Sequence, residues 1–121
     1  MRQYVDRAWM TTATTGTGTI TLGSAQTGYM TFTEAGCQNG DVVTYCILDG
    51  NDFEIGYGTY TTSGTTLSRD SVISSKISGT AGTSKKNLSG TATVFVTNAA
   101  RDLKLSNRGP LEMFRMGAVT L

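Results

Sequence analysis

Three acidic residues stand close together in this chain: Asp49, Asp52 and Glu54, within Asp49-Gly50-Asn51-Asp52-Phe53-Glu54. Two carboxylates held about 5 to 9.5 Å apart can hydrolyse a glycosidic bond. The same oxygens can ligate calcium, although the spacing lacks the pattern of a helix-flanked calcium loop. The residue types around them favour a third reading. Asp-Gly-Asn-Asp accepts the positive φ of a tight turn, and solvated carboxylates are ordinary there. The expectation is therefore turn chemistry, with no catalytic residue, no metal and no cofactor.

Other candidate chemistry is thinner. The chain has no histidine, which removes imidazole acid–base catalysis, Ser-His and Cys-His nucleophile pairs and histidine-bearing zinc sites. Cys37 and Cys46 have no partners for a metal site and are expected as free thiols, Cys46 in the core. Thr15-Gly16-Thr17-Gly18 lacks the Gly-Lys-Ser/Thr ending of a phosphate loop and reads as a β-turn or bulge. Ser84 precedes Lys85-Lys86, but in a loop these lysines read as solvated charges. Trp9, Tyr29, Tyr45, Tyr57 and Tyr60 can line a sugar platform; aromatics at alternating strand positions more often serve a core or a subunit contact. A net charge of +1 gives no strong attraction to nucleic acid or an anionic membrane.

The elements that must position these groups are strands. Thr, Ser and Gly make up 47 of 121 residues, and Pro110 is the single proline. Thr-rich, β-branched runs broken by glycine indicate an all-β fold, a small antiparallel β-sandwich or barrel. Arg7 to Thr12 is a first strand anchored by Trp9. Thr19 to Leu22 alternates, with Ile20 and Leu22 facing inward. Tyr29 to Phe32 is extended, followed by a possible helical turn over Thr33 to Gly36. Val42 to Leu48 is apolar on nearly both faces, hence central. After the Asp49–Asp52 turn, Phe53, Ile55 and Tyr57 share one face and Glu54 takes the other. Thr59–Thr61 and Thr65–Arg69 form a hairpin around Ser63-Gly64. Ser71 to Ser75 is extended, Lys76 to Gly90 is a long mobile loop, and Thr91 to Thr97 is the last core strand.

Composition changes near residue 99. The chain divides into a β domain, residues 1–98, and a C-terminal extended arm, residues 99–121. The arm is basic and then apolar. Leu111, Met113, Phe114 and Met116, with Arg108 and Arg115, are the candidate partner-binding residues, because such a cluster is unfavourable in water unless covered. The expectation is that it packs on its own domain or docks on a neighbouring subunit, with simple disorder as the remaining reading. Residues 1–7 have no apolar run, so no signal peptide is expected, and no stretch is long and apolar enough to span a membrane.

The order of motifs is specific. Asp6-Arg7 leads into Thr11-Thr12-Ala13-Thr14-Thr15-Gly16-Thr17-Gly18-Thr19-Ile20-Thr21-Leu22-Gly23. Gly28-Tyr29, Phe32 and Asn39-Gly40-Asp41-Val42-Val43-Thr44-Tyr45 follow. Then come Asp49 to Tyr60 (DGNDFEIGYGTY), Thr65-Thr66-Leu67-Ser68-Arg69 and Leu88-Ser89-Gly90-Thr91-Ala92. Over about residues 5 to 98 the chain resembles a small β domain of tailed bacteriophages and prophages. That domain occurs near the start of tail-fibre proteins and as standalone virion proteins. The resemblance implies a virion structural component rather than an enzyme, made in the bacterial cytoplasm and contacting tail, adaptor or capsid proteins. A homo-oligomer, a trimer first, is the expected assembly. A head decoration or cement protein and a glycan-binding module are the alternatives.

Overall fold

The computed structural model describes residues 4–97. Ten strands and one helical turn follow in chain order: β1 (Trp9–Thr12), β2 (Thr15–Gly16), β3 (Ile20–Ala25), α1 (Phe32–Ala35), β4 (Val42–Asp49), β5 (Asp52–Thr61), β6 (Thr66–Leu67), β7 (Ser71–Ile77), β8 (Thr80–Gly82), β9 (Leu88–Ser89) and β10 (Ala92–Val96). All strand pairing between these elements is antiparallel. The order β4-β10-β1-β3-β6-β5 closes through β4–β5 into a six-stranded barrel, with β7 and β8 as an added hairpin on β5. The all-β expectation therefore holds, in its barrel form.

Closure depends on β5, the longest strand. Most of its length pairs with β4, from Asp52 opposite Asp49 to Thr59 opposite Val42. Its first half also pairs with β7, and its far end pairs with β6 through Tyr60 and Leu67. One strand thus feeds two sheet branches. The inner face of β5 carries glycine where the crossing is tightest. A Cβ at Gly56 would lie 2.3 Å from the Ser71 carbonyl oxygen and 2.7 Å from the Tyr45 hydroxyl; one at Gly58 would lie 2.0 Å from the Ser68 carbonyl oxygen. The Gly-Tyr-Gly spacing is a requirement of backbone packing.

The core is assembled by period-two alternation. Met10, Ile20, Leu22, Val43, Tyr45, Ile47, Tyr60, Leu67 and Val94 are buried inside the barrel. Phe32 plugs one end from α1, its ring 5.6 Å from that of Tyr60. The turn is set by a capping box: Thr31 accepts from the Glu34 amide while the Glu34 carboxylate accepts from the Thr31 amide, and Gly36 ends it at φ 116°.

Three expectations change, and one left open is resolved. Trp9 is not the core anchor of β1: the neighbouring Met10 points inward and Trp9 outward, half-buried. Tyr29 to Phe32 is not a strand; Met30 makes one isolated bridge to Ala8 and Phe32 already begins the helical turn. The Thr31/Glu34 capping pair overrides the apolar alternation there. Residues 76–90 are not a long loop. Ser78-Gly79, both at positive φ, turn β7 into β8, and β9 pairs with β2. Finally, the alternation on β5 is right but its inward face is the opposite of the apolar one: Glu54 is inside, and Phe53, Ile55 and Tyr57 are on the outer side, half-buried.

Candidate functional site

The inward Glu54 organises a polar interior at one end of the barrel. The Arg69 guanidinium grips its carboxylate with two donors, Nε to Oε2 at 3.1 Å and Nη2 to Oε1, and both side chains have no solvent exposure. Tyr45 donates its hydroxyl to Glu54 Oε2 at 2.6 Å, and the Lys86 amide donates to Oε1 at 2.7 Å. The remaining guanidinium donors reach backbone carbonyls: Nη1 to Gly16 at 3.1 Å and Nη2 to Lys86 at 2.6 Å. One residue pair from β5 and the β6–β7 connection therefore holds the β2 turn and the segment before β9. Every buried charge here is paired and hydrogen-bonded, the condition under which burial is tolerated.

The two turn aspartates complete the system. Asp49, also buried, accepts from the Ser89 amide at 2.8 Å and its hydroxyl at 2.7 Å. Asp52 accepts from the Ser78 amide at 2.9 Å and from Lys86 Nζ at 2.7 Å. All six oxygens of the three carboxylates are thus engaged by protein donors. The solvated-carboxylate expectation is corrected: Asp49 and Glu54 are closed off from water because residues 86–89 fold over them. Lys86 is likewise a pinned ion-pair partner rather than a solvated charge, whereas Lys85 is exposed. A catalytic pair or a calcium ligand set would need these bonds broken, and no group of three or more Asp, Glu, Cys or His placed to hold a metal occurs among the described residues.

The electrostatics follow the geometry. Burial, then the adjoining Glu54 carboxylate, pushes the Tyr45 phenol up, so it stays a donor. The hydrogen bond from Lys86 and that from the Ser78 amide lower Asp52, and Asp52 in turn raises Lys86. Cys37 and Cys46 are free and buried, both raised to about 11, chiefly by burial. They are inert as nucleophiles near neutrality.

The outer surface is the complement of this interior. Four strands lie side by side in the register Trp9↔Phe95, Phe95↔Cys46, Cys46↔Ile55, and the next row brings Leu48 beside Phe53. These residues alternate with the core positions, so they face outward. All are half-buried except Cys46, which is 6% exposed beneath its neighbours. The Trp9 ring lies 4.8 Å from Phe95 and 4.9 Å from Tyr29, and the Arg7 guanidinium sits 4.1 Å over the Tyr29 ring. Trp9 Nε1 is buried there without an acceptor. The five-aromatic platform is not assembled: Tyr45 and Tyr60 are interior, Tyr57 is on the β5 side, and Trp9 and Tyr29 meet edge to face. Sequence reasoning missed this wall because it separated the two faces of β5 without saying which one turns inward.

The candidate partner-binding residues Arg108, Leu111, Met113, Phe114, Arg115 and Met116, and the arm that holds them, lie outside the described residues. Among the described residues no helix is long and apolar enough to cross a membrane. No family model, curated protein or solved structure matches the chain.

Proposed function

We propose that this chain is a structural component of a tailed-bacteriophage virion, of the tail-fibre or fibre-attachment type, that assembles on the particle through protein–protein contacts. One observation carries the reading. The residues on which the resemblance rests, among them Glu54, Gly56, Gly58, Tyr60 and Arg69, build the inside of the barrel, and the apolar side chains between them form an outer wall. A motif used for folding together with an apolar exterior suits a building block better than a catalyst. The wall and the 108–116 segment are the contact surfaces of this reading, and a homo-oligomer, a trimer first, is its assembly.

Antibody labelling of purified particles, imaged by electron microscopy, tests it. Label at the tail or its attachment vertex is the expected result. Label spread over the head would replace it with a decoration role, and absence of the protein from particles would remove the virion reading altogether.

A further inference from the structure

The wall leaves a question of what covers it in the free protein. Trp9, Phe95, Cys46 and Ile55 run across four adjacent strands, with Leu48 and Phe53 in the neighbouring row. Contiguous outward apolar side chains on β-strands are an association hazard unless something lies over them. The chain leaves the barrel beside this surface. β10 ends at Val96, and the Thr97 amide donates to the Thr44 carbonyl at 2.8 Å, two residues along β4 from Cys46.

We infer that residues Leu111 to Met116 of the same chain cover this wall before assembly. The segment supplies what the wall lacks, since thioethers and a phenyl ring pack well against aromatic and aliphatic side chains. Its tether is the right length. Thr97 and Leu111 are 14 residues apart in the sequence, and a linker of that length has a root-mean-square span of roughly 20 Å as a random coil. Four strands at about 4.8 Å spacing put the two sides of the wall roughly 15 Å apart. A tether matched to its span gives an effective concentration on the order of millimolar. Docking on the chain's own barrel therefore outcompetes docking on a second copy at micromolar protein. The wall is self-protected in the free chain and is uncovered when a partner displaces the segment.

Trp9 is the chain's single tryptophan, so its emission reports on the wall directly. The experiment compares acrylamide quenching of the full chain with that of a full-length variant carrying Leu111→Ser, Met113→Ser, Phe114→Ser and Met116→Ser. Circular dichroism verifies that the barrel is folded. The expected result is about twofold or stronger quenching in the variant. A smaller change in the same direction is expected for Phe114→Ser alone. In the unsubstituted chain, protection should not change on dilution of a monomer verified by sedimentation. Equal quenching of full chain and variant would overturn the inference. So would protection that appears only as the chain self-associates, because a second copy would then be the cover. The measurement uses the isolated protein, so its failure is separate from any failure of the virion reading.

Discussion

The Glu54 carboxylate and the Arg69 guanidinium meet face to face inside the barrel, both without solvent exposure, and between them they also bind Tyr45, Gly16 and both backbone groups of Lys86. Removing one partner of such a pair leaves an uncompensated buried charge, with a loss of about 3–5 kcal/mol. Arg69→Met should therefore destabilise the domain more than any surface substitution. Glu54→Gln with Arg69→Met should lose less than the sum of the two single variants, because the pair acts as a unit. Thermal and urea denaturation of the four proteins measures this; additive losses would show that the pair is not coupled.

The glycines of β5 give a second test. Gly56→Ala places a methyl group against the Ser71 carbonyl and the Tyr45 hydroxyl, and Gly58→Ala places one against the Ser68 carbonyl. Backbone cannot yield as a side-chain tip can. Each substitution should lose about 3 kcal/mol or more, at or above the usual range for overpacking. Gly82→Ala, where nothing lies within 4 Å, should change stability by less than about 0.5 kcal/mol.

How far the sequence reveals this arrangement differs from residue to residue. Ile20 and Leu22 alternate with threonine, and hydrophobicity points them inward correctly. The Asp49–Asp52 turn is legible for the same local reason, because Gly50 sits at φ 63°. Phe53-Glu54-Ile55 shows its period equally well, yet its face cannot be read locally. Glu54 is stable inside because of Arg69, fifteen residues later, and because residues 86–89 fold over the pair. The segment 76–90 hides its order too: its small polar residues carry no apolar period. Its positions are set by backbone amides bound to Glu54, Asp52 and Asp49.

The Asp52–Lys86 pair predicts a pH dependence. Asp52 is lowered in the folded protein, so its contribution is present above the ordinary aspartate value near 4 and is lost as pH falls through the lowered value. Lys86 is raised, so its contribution holds below the ordinary lysine value of about 10.4 and is lost as pH rises through the raised value. Stability from this pair is thus level between the two. Asp52→Asn should flatten the acid limb of a Tm-against-pH profile; an unchanged acid limb would contradict the assignment.

Thiol labelling probes the wall. Cys37 and Cys46 are both buried with raised pKa values, so neither should react with a disulfide reagent at neutral pH until the protein unfolds. Phe95→Ala removes a cross-strand neighbour of Cys46. It should accelerate Cys46 labelling and leave Cys37 unchanged. Equal acceleration of both would indicate loosening of the whole barrel instead.

The central claim is that the outer wall serves assembly while the motif residues serve folding. Incorporation of a wall variant, Ile55→Ser with Phe95→Ser, into purified particles tests it most directly. Because both positions are only partly buried, each substitution should lose about 1–2 kcal/mol, so the variant is expected to fold as a barrel by circular dichroism and yet be missing from particles. A folded variant incorporated at the unsubstituted level would contradict the account.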